Sequence, residues 1–290
     1  MEFPYGKITP ALPQGCIPYE QWPEFKLEAL PQPFCSPEAV GHSPKGVRWS
    51  FWPLTFEEYV SDQEPDLSAS DPHGTARYRF IMWQRITHTD RPKGWWRLSR
   101  TPSRIEGFAH IYPGVYWRHW SKDARQKRKK WLTEILNKTY TTRTATFAEF
   151  EEAYKKSTVA RSTLRESIKI AQQMEAVSPG AVTYKVAERM SDGVIKAGFA
   201  YIDSDHTQSS YYTVGFYHKD TQNVPLMVGL IDTWYRDKQT QGYRFLHMGQ
   251  FWFPAKPRAW KGFSTFKAKF GLFYISYPPR LWRFARGKVF

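Results

Sequence analysis

From residue 182 onward the chain alternates apolar and polar positions with period two. The runs "VTYKVAERM" (182–190) and "VIKAGFAYI" (194–202) flank Ser191, Asp192 and Gly193. An Asp-Gly pair between two alternating runs predicts a β-hairpin. "SSYYTVGFYHK" (209–219) predicts a third strand. The period then lengthens. "PLMVGLIDTWYRDKQTQ" (225–241) carries apolar residues at helical spacing, with Pro225 near its first turn and Gly242 just beyond its end. "YRFLHMG" (243–249) returns to a strand, "FSTFKAKF" (263–270) predicts a short helix, and "GLFYISY" (271–277) a last strand. The predicted order is β-β-β-α-β-α-β, with a single full-length crossover helix.

Upstream the pattern is less regular. "PLTFEEYV" (53–60) reads as a short amphipathic helix, and residues 61–74 as a polar, acidic loop. "ARYRFIMWQRI" (76–86) alternates as a strand does, with "GWWRLSR" (94–100) as a candidate partner. Ser121 opens a helix: it supplies an N-cap, Asp123 lies in the first turn, and Trp131, Leu132, Ile135 and Leu136 fall at helical spacing. A second helical region runs from Phe147 to about Gln173, with a break near "STVARST". Residues 1–46 hold nine of the 21 prolines, which excludes a helix of normal length there and reads as an extended arm.

Composition narrows the class. An apolar fraction of 41% and an aromatic fraction of 17% belong to a folded globular chain. No apolar run is long enough to span a bilayer. The N-terminus lacks a basic region followed by an apolar one, so a cytoplasmic location is the default expectation. Cys16 and Cys35 form no disulfide framework and are expected to be reduced thiols, and no metal site is expected, because the histidines do not pair at ligand spacing. There is no Walker loop, no G-x-G-x-x-G and no G-x-S-x-G.

Charge adds a partner. Lys and Arg number 42 against 27 Asp and Glu, a net +15 that favours anionic partners. Six cations crowd into residues 122–130: Lys122, Arg125, Lys127, Arg128, Lys129 and Lys130. They repel one another unless an anion lies alongside, and an RNA phosphate backbone supplies one. "PPRLWRFARGK" (278–288) interleaves Arg280, Arg283, Arg286 and Lys288 with Trp282 and Phe284. That arrangement suits nucleic acid and an anionic membrane surface equally.

Three antiparallel strands, a helix, a parallel strand and a closing helix and strand resemble the core of the GNAT acyltransferase fold. The stretch "GYRFLHMGQFWFPAKPRAWKGFSTFKAKFG" (242–271) sharpens this. Gly262, Phe263, Phe266, Lys267, Phe270 and Gly271 resemble the G-Φ-x-x-F-K-x-x-F-G motif of the Fem family. Gly249 is present in the preceding motif, with Gln250 where that family commonly has a second glycine. "FAEFEEAYKKSTVAR" (147–161) resembles the family's entry into this domain, and the likeness covers roughly residues 110–278.

The resemblance implies a mixed-sheet α/β protein with three segments. These are a proline-rich arm (1–46), a divergent N-terminal subdomain (47–140) that can be a partial acyltransferase-like repeat, and a GNAT-like acyltransferase domain (141–290). It also implies transfer of an amino acid from aminoacyl-tRNA to an amine of a peptide or peptidoglycan precursor, with no cofactor. Adjacent parallel strands in such a core splay apart, here between 209–218 and 243–248. Lys267 would bind the terminal phosphates of tRNA or the developing alkoxide. Tyr211 or Tyr212, on alternate faces of one strand, would supply a proton donor. Phe266 and Phe270 offer one ring to stack on the terminal adenine, the other belonging to the core, as does Phe263. Gly249, Gln250 and His247, at the end of the following strand, are expected to contact substrate. Lys122, Arg125, Arg128, Lys129 and Arg283 are expected to hold tRNA, and Asp232 to lie on a helix surface.

Three alternatives stay open. The 263–270 segment also fits an amphipathic helix with its rings buried and both lysines solvated. The chain also fits an acyl-CoA-dependent N-acyltransferase, disfavoured because the "YHKDTQNVPLMV" loop (217–228) has no glycine for a pyrophosphate. Or the scaffold serves as a non-enzymatic nucleic-acid-binding protein.

Overall fold

The computed structural model describes residues 3–9, 16, 38–39, 46–51, 54–61, 64–65, 78–85, 90–159, 168, 171–172, 175 and 180–286. In chain order its strands are β1 (Ile8–Thr9), β2 (Glu38–Ala39), β3 (Gly46–Phe51), β4 (Leu54–Ser61), β5 (Tyr78–Arg85), β6 (Trp96–Arg97), β7 (Ile105–His110), β8 (Tyr140–Ala145), β9 (Val182–Arg189), β10 (Ile195–Ser204), β11 (Ser209–Tyr217), β12 (Phe245–Gln250), β13 (Phe273–Ser276) and β14 (Leu281–Arg286). Its α-helices include α1 (Lys122–Lys130), α2 (Phe147–Lys155), α3 (Leu226–Thr240) and α4 (Lys261–Lys267). The protein is mixed α/β, as expected.

The chain forms two compact units. One comprises Met1–Lys7 and Glu106–Tyr274, the other Ile8–Ile105 and Ile275–Phe290. This division differs from the expected segments 1–46, 47–140 and 141–290. Position along the chain does not decide membership: α1 joins the later strands, and the last strand joins the early ones.

In the first unit the strand order is β13-β7-β12-β11-β10-β9-β8. The β9–β10 hairpin turns at Asp192 and Gly193, whose φ of +67° is the left-handed conformation glycine adopts without strain. β8, which the periodicity did not reveal, pairs antiparallel to β9. The crossover helix α3 buries Leu230, Ile231 and Trp234, and the Trp234 indole donates to Ser210 Oγ at 2.9 Å. Gly229 lets the helix approach Trp131, because a Cβ there would sit 2.3 Å from the indole. The expected helix from Ser121 is present: Ser121 Oγ accepts from the Ala124 amide at 3.2 Å, and a π-helical turn (Trp131–Ile135) buries Trp131 and Ile135.

In the second unit the order is β2-β3-β4-β5-β14-β6. Two expectations are corrected here. Residues 53–60 are not a helix but strand β4, parallel to β5 and antiparallel to β3. The segment fits either period over so short a length, and pairing decides. Glu57 and Tyr59 point inward, and Glu57 takes both Arg79 nitrogens, Nε at 2.9 Å and Nη2 at 2.8 Å. Residues 94–100 do not pair with the 76–86 strand; β6 pairs with β14, which lies between them. Besides these, β14 is a strand that the periodicity did not reveal. The proline-rich arm, the loop over 61–74 and the far end of the second helical region fall largely outside the described residues.

Candidate functional site

The first unit contains one parallel pair whose strands part. β11 and β12 are in register only at Ser209–Phe245, Ser210–Leu246 and Tyr211–His247, yet β11 continues to Tyr217 and β12 to Gln250. Irregularities on both outer sides accompany the parting. The β12–β7 register shifts between His247 and Gln250, and Gly249 within that shift has φ +67°. The β10–β11 register shifts between Ala200 and Tyr201, opposite Thr213, whose hydroxyl donates to the Ala200 carbonyl at 2.9 Å. Bulges of this kind bend a strand away from its neighbour.

Lys267 fills the parting. It is the last residue of α4 and only 5% exposed. Its Nζ donates to the Met248 carbonyl and, at 3.0 Å, to the Gln250 carbonyl, both on the part of β12 that β11 has left. Aromatic rings enclose it, with Phe251 at 4.8 Å, Phe263 at 4.9 Å and Tyr212 at 5.6 Å from Nζ. Burial drives its pKa down to about 7, against the pull of Glu106, whose charge favours the ammonium. The reading with both lysines in water is therefore overturned. Lys269 too is engaged, with Asp123 at 2.6 Å. A buried amine that is half protonated near neutral pH can give or take a proton there.

The other predicted residues divide. Tyr212 stacks on Phe199 (5.6 Å, 8°) and turns its ring to Lys267; desolvation pushes its pKa up, which keeps the phenol protonated. Tyr211 lies on the alternate face, its hydroxyl beside Gly249, where a Cβ would come within 3.3 Å. Gln250 takes part through its backbone carbonyl. His247 is 1% exposed and wedged against Phe108 at 4.3 Å, packed within the core. Phe270 is likewise core: it meets Trp120 edge-on at 4.9 Å and is 1% exposed. Phe266 is half-buried against Phe270. Phe263, assigned to the core from spacing, instead helps enclose Lys267. Gly271 permits a close approach: its φ is +67°, and a Cβ would lie 2.7 Å from the His119 carbonyl.

That approach ties the Lys267 segment to α1. The Ser121 amide donates to Lys269 O at 2.8 Å. Along α1 an open groove is lined by Trp117, Lys122, Arg125, Gln126, Arg128 and Lys129, among others. Lys122, Arg125 and Lys129 make no ion pair among the described residues. Arg128, expected to hold tRNA with them, does. It pairs with Asp232, which also accepts from Tyr116 at 2.7 Å and is 1% exposed, not a surface charge. Sequence reasoning missed Asp232 because a polar residue in an amphipathic helix usually faces water. The Arg128 guanidinium lies 5.0 Å from the Trp117 ring centre. Arg283 is not on this helix but on β14, in the other unit.

No protein-family model matches the sequence, and no curated protein matches it. Solved structures do share the fold. FemX superposes with a TM-score of 0.60 at 10% identity, over 86% of this chain and 87% of its own. A conserved protein of unknown function from Bacteroides thetaiotaomicron gives 0.53 at 10% identity, over 82% of each chain. L-PGS from Bacillus licheniformis gives 0.51 at 11% identity, over 82% of this chain and 80% of its own. The chain therefore has the Fem-type GNAT fold expected from residues 242–271.

Proposed function

We propose that the protein is an aminoacyltransferase, moving an amino acid from aminoacyl-tRNA to an amine of a peptide or peptidoglycan precursor. The observation that carries this reading is the buried Lys267 ammonium, held where β11 and β12 part. The donor ester is already activated, so the protein needs to align the amine, stabilise the oxyanion and let the ribose oxygen leave. The acceptor nitrogen bonds to the ester carbonyl carbon, the bond from that carbon to the ribose oxygen breaks, and the amine gives up a proton. Lys267 hands a proton to the departing oxygen and is recharged by the one the amine loses. The groove along α1, with Lys122, Arg125 and Lys129 uncommitted, takes the tRNA phosphates. Likeness of fold to FemX accords with the motif resemblance.

Acyl-CoA is less well served. In the connection from β11 to α3, Asp220 is committed to Lys196 at 2.6 Å, and α3 begins at Pro225 with no side-chain cap. A carboxylate and a proline are poor company for a pyrophosphate.

The test is transfer of a labelled amino acid from charged tRNA to a muramyl-peptide amine. Transfer that requires Lys267, with tRNA retention that requires Lys122, Arg125 and Lys129, supports the reading. tRNA retention unaffected by Lys267→Ala, with no transfer by the wild type, would make the protein a nucleic-acid binder. Thermal stabilisation by acetyl-CoA and none by charged tRNA would move the donor assignment to CoA.

A further inference from the structure

The second unit carries an aromatic row that the proposed chemistry does not use. Pairing aligns Phe56 of β4 with Phe80 of β5, and Trp282 of β14 with Trp96 of β6. The rings touch in sequence: Phe56 and Phe80 at 5.7 Å, Phe80 and Trp282 at 5.5 Å, Trp282 and Trp96 at 5.2 Å. Phe284 joins through Tyr78 at 5.5 Å. The row is not covered. Phe56 is 40% exposed, Phe284 47% and Trp96 49%, and Leu98 beyond it is 52% exposed. The opposite face of the same sheet is buried and holds Tyr59, Ile81, Trp83, Trp95 and Leu281. An exposed apolar patch of several large residues marks an interaction surface.

The patch is built, not frayed. Trp95 is anchored inward, edge-on to Trp83 at 5.4 Å, with its indole donating to Glu64 at 2.7 Å. Its neighbour Trp96 is thereby turned outward, and the Leu98 amide donates to Arg280 O at 3.0 Å. Exposed Arg91, Lys93, Arg97 and Arg100 surround Trp96 and Leu98 in sequence, against one acid, Asp90, over 90–100. Glu58, on the aromatic side of β4, is met by Arg280 at 3.5 Å.

We infer that this aromatic row and its cationic border form a docking surface for an anionic lipid bilayer. Ring geometry argues against bases as the occupant. Phe80 and Trp282 are stacked at an interplanar angle of 23°, so their faces are turned toward each other and away from a nucleobase. A base stacks on a face. Ring edges with an exposed leucine and tryptophan suit the boundary between headgroups and acyl chains. Arg91, Lys93 and Arg100, close to Trp96 and Leu98 in sequence, suit the anionic headgroups.

Flotation of the full chain with vesicles tests this at physiological salt. One set is phosphatidylcholine alone, the other phosphatidylcholine with about a quarter phosphatidylglycerol. The wild type is expected to float with the anionic vesicles and not with the neutral ones. Trp96→Ser combined with Leu98→Ser should weaken this by about ten-fold while leaving the unfolding midpoint unchanged. Neutralising Lys122, Arg125 and Lys129 should leave flotation intact. Three results overturn the inference: no flotation; flotation indifferent to the serine pair; or flotation lost only with the α1 charges, which would make it general attraction of a basic protein. Single-stranded RNA binding or self-association that depends on Trp96 and Leu98, without flotation, would overturn it and give the face to that partner.

Discussion

Each unit of this protein contains a parallel pair of strands, and the two pairs are treated in opposite ways. In the second unit β4 and β5 stay in register over their whole length, from Leu54–Tyr78 to Ser61–Arg85. The inward charges on that pair are matched, Glu57 to Arg79, and the Tyr59 hydroxyl closes on Glu57 at 3.0 Å. In the first unit β11 and β12 separate after Tyr211–His247, and the vacated carbonyls are met by an amine arriving from a helix. Strands that stay in register satisfy one another's backbone groups along the ladder. A parted pair exposes backbone edges to whatever enters, and a buried amine with a pKa near 7 is poised for proton transfer. Similar strand arrangements thus serve cohesion in one unit and, under the proposed function, chemistry in the other.

The largest effect should come from the parted pair. Lys267→Met is expected to lower transfer by about 10²–10³, the scale of losing one group that meets developing charge. Single-turnover kinetics checks this, and a rate within a few-fold of wild type would remove Lys267 from the mechanism. The sealed pair should answer differently. Glu57→Gln leaves Arg79 buried without its charge partner and should cost about 3 kcal/mol in urea unfolding, with the transfer rate unchanged below the transition. Gly271→Ala should cost about 2 kcal/mol, from the strained φ and the collision with the His119 carbonyl.

A pH effect tests the parted pair further. The folded-state pKa of Lys267, about 7, lies below the ordinary lysine value of 10.5, so the unfolded chain binds more protons between those values. Stability from this group is therefore complete above 10.5 and is lost as pH falls toward 7. Relative to Lys267→Met, the wild type should gain stability as pH rises through that window, by at most ~1.4 kcal/mol per unit. Unfolding curves that stay parallel would show that the amine is not desolvated.

Much of the first unit could be read from residue order. The β9–β10 hairpin has strict alternation around Asp192-Gly193, and α1 has its own cap at Ser121, so local physics and final structure agree. The second unit was less legible. β4 spans eight residues with apolar side chains that suit either period, and only pairing with β3 and β5 settles it. β14 was not legible as a strand, because its outward Phe284 and Trp282 obscure the alternation. Within the site, Lys267 and Gly249 were legible as motif members. Asp232 was not, since its partners Arg128 and Tyr116 lie more than a hundred residues away. Which of Phe266 and Phe270 belongs to the core, and that His247 is buried, was not legible, because an aromatic residue beside a site looks the same in sequence whether it faces the cleft or the core.

By itself the sequence determined what nearest neighbours along the chain can enforce: the hairpin, the capped helices, and a lysine set among phenylalanines at helical spacing. Only the tertiary structure decided which strands pair, where the parallel pair parts, and that the Lys267 amine is buried and not solvated. The reason is physical. Turns and caps are closed by residues a few positions apart, whereas desolvation of an amine is imposed by Phe251, Tyr212 and the β12 carbonyls, brought to it by the fold.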